Sequence, residues 1–451
     1  MFPAEIFAFR DVCGMNDNIG WQNERKDLMP SAAYLGDDRH FGELKPEEKW
    51  IFSEEGQTAV QKAAALRGGD EWKRILFLRE KLALPPEKAA LAAVQVVLRS
   101  RGKEKFAELA ERMFFTQVGI EQSSDRWIAE YKAKRFPEGV PAADICCGIG
   151  GDLLALAAAH PVLGVDRSPM TALAAHFNLT AAQEAGVLPE DADFQIFPGM
   201  AEEFLERFPA ERFPLLHMDP DRRSEGVRTT QIDYFQPEFP VLEKLLEGRR
   251  LAAVKLAPGT EIPETWLSRM TEAEWITRNR ECRQLIVWFD AEKERKGDFR
   301  ATLLETHGAG VLGTFAGKPN LPLPAAEIPG RFLFDPDPSL LAAGLEGDFA
   351  QTYALKRLGP GSLYLTGEKP VENALAACFE IRCVLPLDRK QIVRAVQESG
   401  WSRIEIKKRG AVPEPEEVRK WLKLPKKGGM GTLFLARTAS GSLALLANRV
   451  F

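Results

Sequence analysis

The sequence is short of the residues that build covalent or metal frameworks. Six cysteines are spread along 451 residues, accompanied by only five histidines. Their spacing forms no regular framework, which argues against a disulfide scaffold and for a reducing compartment. Cys378 and Cys383 stand moderately close, but no histidine keeps register with them, so no metal site is expected. Long apolar runs are missing too. The Ala/Leu-rich stretches are cut by charges well before the roughly 20 residues that a membrane span needs. The N-terminus has no basic-then-apolar leader pattern. The expectation is a cytoplasmic protein without a membrane partner. Nor is positive charge in excess. Sixty Lys and Arg face 65 Asp and Glu, for a formal net charge of −5, so the chain as a whole carries no nucleic-acid signature. No internal repeat is found.

What is there is ordinary globular material, 45% apolar and 28% charged. The length suits about two or three domains. Residues 1–50 read as irregular. From about 53 to 115, apolar residues recur at helical spacing in "TAVQKAAALR", "EWKRILFLREKLAL", "PPEKAALAAVQVVLRSR" and "KEKFAELAERMFF". From about 140, short apolar strands alternate with helical stretches: "AADICC", "PVLGVD", "FQIFPG", "LLHMD" and "LAAVKLAP". That alternation predicts an α/β domain built on a parallel sheet. "QLIVWFD" and "RATLLE" follow without a helix between them, which predicts a terminal antiparallel hairpin. The Pro/Gly-rich "GTFAGKPNLPLPAAEIPG" reads as a linker, and an α+β region follows it. The expected organisation is a helical part over 1–115, the α/β domain over 116–310, a linker over 311–330 and the α+β domain over 331–451.

The segment "AADICCGIGGD", residues 142–152, holds the strongest signal. An apolar strand runs into Gly148, Gly150 and Gly151 and then Asp152 at a helix start. In an open α/β sheet the ligand lies off the carboxyl ends of the strands. Bare backbone at that turn lets an adenine-nucleoside ligand come close, where a Cβ would collide. The G-x-G-x-x-G dinucleotide fingerprint fails, because Leu153 occupies its third glycine position. A P-loop fails as well, since no Gly-Lys-Ser/Thr follows. What remains is Asp144 ahead of the glycines and Asp166 at the end of the next strand. A carboxylate at that second position can take both ribose hydroxyls.

These features resemble motifs I and II of the class I S-adenosylmethionine-dependent methyltransferases. The resemblance implies S-adenosylmethionine as cofactor, with the turn of Gly148 and Gly150 around its methionine part. It places Asp166 on the ribose with Arg167 beside it, and Asp144 or Asp152 toward the cationic amino group or sulfonium. Cys146 stands where many members have their first glycine. Both adjacent cysteines then read as small apolar fillers. A reactive or metal-binding pair is the other reading, disfavoured because neighbours in a strand point to opposite faces. Where the family often carries an aspartate near the adenine, this chain has Gly199 and Met200, so Met200 is the residue expected on the ring. At the fourth strand end, amino-methylating relatives often carry Asp/Asn-Pro-Pro-aromatic. Here the residues are Asp219, Pro220, Asp221, Arg222 and Arg223, and the acceptor atom stays open. Asp219 would accept a hydrogen bond from the acceptor, Pro220 would shape the loop, and Arg222 and Arg223 would hold a phosphate. A solvated loop is the plainer alternative. "VKLAPG", with Lys255, ends the fifth strand.

The combination of "FTQVGIEQSSDRWIAEYKAKRF", "DICCGIGGDLLALA", "VDRSP", "DPDRR", "KLAPG", "ECRQLIVWF" and "IEIKKRG" is similar to bacterial class I methyltransferases that carry a C-terminal THUMP-like domain. The implied fold is a Rossmann-like methyltransferase sheet between a helical N-terminal part and a THUMP-like α+β domain. The segment before the glycine turn is also similar to that of trimethylguanosine synthases, which implies that Gln122 and Ser124 line the cofactor. THUMP domains are associated with RNA binding, so the implied substrate is RNA, either tRNA or rRNA. The residues offer local support. Lys407, Lys408, Arg409, Lys420 and Lys423 crowd one stretch with Trp401 and Trp421 interleaved, which suits phosphate contact and base stacking. A solvated face with two core tryptophans is the other reading. Lys132, Lys134 and Arg135 could add to the basic surface. A small-molecule methyltransferase, and a non-catalytic RNA-binding protein on the same fold, stay open as rivals. The sequence leaves the oligomeric state undetermined.

Overall fold

The computed structural model describes residues 44–451 apart from 67, 225, 226, 229, 294–296, 360, 411, 439 and 440. Of the stretch read as irregular, residues up to 43 lie outside the described residues, as does Cys13; Pro46–Trp50 forms a short helix, α1. The described residues fall into two compact units. One lies within Met1–Lys255 plus Phe289–Glu292, the other comprises Leu256–Trp288 plus Lys293–Phe451.

The first unit opens with helices α2 (Glu54–Ala64), α3 (Glu71–Leu82) and α4 (Pro86–Phe106). Ser53 and Asp70 start α2 and α3 by accepting backbone N–H groups from Gly56 and Lys73. Pro86 starts α4, where its missing N–H costs nothing. Ala89, Ala92 and Ala93 belong to the buried face of α4, with Leu98 and Phe106 further along it. Two shorter helices follow, α5 (Gln117–Gln122) and α6 (Arg126–Ala133).

The parallel sheet of this unit contains β1 (Ala142–Ile145), β2 (Val162–Asp166), β3 (Phe194–Pro198), β4 (Leu215–Met218) and β5 (Leu251–Leu256). Helices α7 (Gly151–Ala157), α8 (Pro169–Glu184), α9 (Ala201–Arg207) and α10 (Phe239–Leu246) connect them. The strands run β5-β4-β1-β2-β3, each neighbour parallel. The chain leaves β1 toward β2 and returns to β4 on its other side. That reversal puts the ligand crevice at the carboxyl end of β1.

In the second unit, β6 (Glu272–Arg278), β7 (Glu281–Asp290), β8 (Asp298–Leu304) and β9 (Val311–Gly317) lie in the order β9-β8-β6-β7. The expected hairpin of β7 with β8 is not formed. Instead β7 pairs antiparallel with β6, and β8 runs parallel to β6. The sequence hid β6 because it carries Glu272, Glu274 and Arg278, all three buried. Arg300 donates to Glu272 at 2.7 Å, and Glu274 accepts from Thr302 at 2.6 Å and from the Trp288 indole at 3.2 Å. Buried carboxylates with such partners are tolerated in a strand. The segment read as a linker begins with β9, which pairs antiparallel with β8.

The remaining sheet holds β10 (Phe332–Pro336), β11 (Lys356–Arg357), β12 (Leu365–Gly367), β13 (Ala376–Pro386), β14 (Trp401–Arg409), β15 (Gly429–Thr438) and β16 (Gly441–Arg449). Their order is β11-β12-β10-β13-β16-β15-β14. Helix α11 (Arg389–Glu398) and the short α12 (Pro415–Arg419) add Ile392, Val396 and Val418 to a core with Trp401, Leu433 and Leu435. Gly431 belongs to this packing, since a Cβ there would lie 2.1 Å from the Trp401 ring. The architecture has the expected parts: helices first, an α/β sheet, and an α+β C-terminal region.

Candidate active site

β1 ends at Ile145 and the backbone turns at once. Cys146, Gly148 and Gly150 adopt φ of 60°, 57° and 90° before α7 begins. A Cβ on Gly148 would meet nothing within 4 Å, so the turn opens onto free space there. Asn178 of α8 fastens the turn from behind. Its amide nitrogen donates to the Ile149 carbonyl at 2.9 Å and to the Phe114 carbonyl at 3.0 Å, while its oxygen accepts the Phe114 N–H at 2.6 Å. Cys147 is buried and Cys146 half-buried, and both are free thiols. Among the described residues no group of His, Cys, Asp or Glu is arranged to hold a metal ion.

Asp166 stands at the end of β2. Its two oxygens accept backbone N–H groups from Gly148 and Ser168, each at 3.0 Å. Burial pushes its pKa up to about 6, against the pull of those two amides. Each oxygen keeps a lone pair for a hydroxyl donor. Next to it, Arg167 is largely exposed and reaches Asp221 at 3.5 Å. Met200 precedes α9 and is 50% exposed, and the neighbouring Gly199 N–H donates to the Asp166 carbonyl.

Behind the turn lies a buried charged network. Asp152, in the first turn of α7, pairs with Lys132 of α6 at 2.6 Å and accepts the Ser124 hydroxyl at 2.5 Å. Lys132 also reaches His217 Nε2 at 3.2 Å, and His217 Nδ1 lies 2.7 Å from Asp144 Oδ1. The imidazole of His217 thus bridges Lys132 and Asp144, and its tautomer sets which ring nitrogen donates. Burial pulls the Lys132 pKa down against the attraction of Asp152. Asp152 is held well below the usual carboxylate range: burial raises it, but Lys132, His217 and Lys255 outweigh that. Asp144 is pushed up by burial, with His217 opposing.

At the end of β4 the acceptor loop begins. Lys255 donates to Asp219 Oδ2 at 2.5 Å, and Gln122 Nε2 donates to Asp221 Oδ1 at 3.2 Å. Pro220 is buried and Arg222 half-buried; for Arg223 only the backbone is described. Asp221 and Gln236 exchange backbone hydrogen bonds of 2.8 and 2.9 Å, which hold the loop against the segment before α10.

The structure thus gathers Gln122, Ser124, Asp144, Cys146, Gly148, Gly150, Asp152, Asp166, Arg167, Met200, Asp219, Pro220 and Arg222 around the carboxyl ends of β1, β2 and β4. Three members of the network carried no such role in the sequence. Lys132 read as part of a basic surface, yet it is buried and ion-paired. His217 stood unremarked inside an apolar strand. Lys255 was only a residue at a strand end. An ionisable residue within an otherwise apolar strand or helix face was the available signal.

The cations of the C-terminal region lie in the other unit. Lys407 pairs with Asp335 at 2.7 Å, and Arg409 donates to the same carboxylate at 2.8 Å. Lys408 pairs with Glu414. Lys420 and Lys423 are exposed. Trp401 is buried in the core and Trp421 packs against it half-buried.

A parallel sheet in this strand order, with a glycine turn after β1 and a carboxylate ending β2, is the fold of class I S-adenosylmethionine-dependent methyltransferases. The residues fit that cofactor: open space over Gly148 and a doubly anchored carboxylate with lone pairs to spare. Known proteins narrow the description. Residues 376–449 match the family described as THUMP domain-like. The chain is 26% identical over 356 residues to an uncharacterized S-adenosylmethionine-dependent methyltransferase of Mycobacterium tuberculosis H37Rv, covering 77% of this chain and 92% of that one. The counterpart in strain CDC 1551 matches equally. A crystal structure from Porphyromonas gingivalis W83, provisionally assigned as a methyltransferase, superposes with a TM-score of 0.72 at 24% identity, over 88% of this chain and 99% of that one. The resemblance drawn from the sequence therefore holds: a class I methyltransferase fold with a THUMP-like C-terminal domain.

Proposed function

We propose that the chain transfers a methyl group from S-adenosylmethionine directly to a base of tRNA or rRNA. The methyltransferase class and its cofactor rest on the fold and the curated relatives. RNA as substrate rests on one observation, the THUMP-like domain at residues 376–449 in the same chain as the glycine turn. S-adenosylmethionine supplies an electrophilic methyl group. The protein's part is positioning and electrostatics. Gly148 and Gly150 give the methionine part its room, Asp166 takes the ribose hydroxyls, and Met200 covers the adenine. Asp144 and Asp152 set the negative potential under the turn. Asp219 accepts a hydrogen bond from the acceptor, Pro220 shapes the loop, and Arg222 and Arg223 hold an RNA phosphate. Lys420 and Lys423 bind the RNA backbone, and Lys408 adds its charge to theirs. Lys407 and Arg409 contribute through their shared aspartate by stiffening β14.

Among the described residues no helix is long and apolar enough to cross a membrane, and the described cysteines are all free. The proposed site of action is the cytoplasm. The test is transfer of labelled methyl from S-adenosylmethionine to bulk tRNA and rRNA, with Asp219→Asn in parallel. Label in RNA that falls at least tenfold in the variant supports the reading. Cofactor binding without any label in RNA, but with label in a small-metabolite pool, would move the substrate to a small molecule.

A further inference from the structure

Lys255 is the last residue but one of β5, and its side chain is 11% exposed. Its ammonium donates to Asp219 Oδ2 at 2.5 Å and to the Gln122 carbonyl at 3.3 Å, and lies 4.0 Å from Asp152 Oδ2. Asp219 is 29% exposed, and among the described residues Oδ2 alone of its two oxygens has a side-chain partner. Lys255 thus joins three pieces of the crevice: the end of α5, the acceptor loop and the first turn of α7. Burial works against its charge, but Asp219 and Asp152 outweigh burial and raise its pKa, so it stays an ammonium.

We propose that Lys255 positions the methyl acceptor through Asp219: it grips Oδ2 and leaves Oδ1 to receive a hydrogen, which restricts the acceptor to a nitrogen or oxygen bearing one. The inference rests on the methyltransferase reading above. An exocyclic amine, an imide N–H or a hydroxyl meets the condition. A ring carbon, or a ring nitrogen with only a lone pair, offers no donor and would face the lone pairs of a charged carboxylate. The acceptor's lone pair forms the new bond to the methyl carbon as the carbon–sulfur pair leaves with sulfur. The acceptor's hydrogen, held at Oδ1, departs as a proton to solvent.

The arrangement can be tested without knowing the RNA. Sinefungin resembles S-adenosylhomocysteine but carries an ammonium where the transferred methyl would stand. An Oδ1 that faces the acceptor brings that ammonium within its reach, so the proposal expects the protein to prefer sinefungin over S-adenosylhomocysteine by roughly tenfold or more, the worth of one charged hydrogen bond. Calorimetric titration of the full chain with both compounds reads the ratio. Asp219→Asn should remove the preference, again read as the ratio of the two affinities. Lys255→Met should lower the preference several-fold, read as the ratio of the two affinities so that any loss common to both compounds cancels, and Lys255→Gln, which keeps a donor, should restore part of it. A merely structural role would weaken both compounds alike. If Lys255→Met raises the preference or leaves it unchanged, Asp219 is oriented without Lys255 and the proposal falls. It falls equally if Asp219→Asn keeps the wild-type ratio, a result that does not need the lysine variants to fold. A wild type that binds neither compound would instead overturn the methyltransferase reading itself.

Discussion

At the end of β2, each Asp166 oxygen already holds one backbone N–H, and burial raises its pKa from 3.8 to about 6. Two opposite pH effects follow. For the free protein, a carboxyl whose folded pKa is raised favours folding fully below about pH 4 and loses that contribution as pH rises through about 6. For the cofactor, ribose hydroxyls bond best to the charged carboxylate, so affinity rises over the same interval and levels off above it. Binding near pH 6 should therefore release protons, seen as a calorimetric enthalpy that depends on the buffer. Asp166→Asn should flatten the pH profile and weaken S-adenosylmethionine binding by ten- to a hundredfold, since hydrogen bonds to a charged group are worth roughly 1.5–3 kcal/mol each. Wild-type affinity that does not change between pH 5 and 8 would show that Asp166 does not carry the ribose.

Helix α6 is joined to the sheet by Lys132, whose side chain is 2% exposed beside an Asp152 that is 7% exposed. Removing one partner of such a pair strands the other as a buried charge, at a cost of about 3–5 kcal/mol. Lys132→Met should lower unfolding stability by an amount of that order in urea titration. Adding Asp152→Asn should recover part of the loss, because the stranded charge is gone. A single substitution that costs less than about 1 kcal/mol would mean that solvent already reaches the pair. The same elements mark where the sequence was readable. β1 to β5 and the glycine turn could be seen because apolar runs and bare backbone leave direct traces in composition. Asp166 and Asp219 could be placed because they end strands, where side chains meet ligands. β6 and the roles of Lys132 and His217 could not: the charges of β6 and Lys132 look like surface, and His217 like core, until three-dimensional partners meet them. β9 alternates half-covered and exposed residues along its length and read as a linker for the opposite reason.

For the molecule as a whole, a net charge of −5 gives no general attraction to RNA, so the RNA binding proposed above calls for a local basic surface. The second unit holds the candidate. Lys407 and Arg409 are occupied by Asp335, and Lys408 by Glu414, which leaves Lys420 and Lys423 as the exposed cations of the predicted set. Each cation that neutralises a phosphate releases counterions, and the dependence of log affinity on log salt steepens by roughly 0.7–0.9 per contact. Lys420→Gln combined with Lys423→Gln should therefore weaken tRNA binding at low salt and make the salt slope shallower by about 1.5. S-adenosylmethionine affinity, set in the first unit, should not change. Asp335→Asn provides the contrast. It frees Lys407 and Arg409 from their shared carboxylate, so RNA affinity should rise and the salt slope should steepen. If the double lysine substitution leaves the slope unchanged, the phosphates are held elsewhere, and the exposed strip after α12 is an ordinary solvated surface.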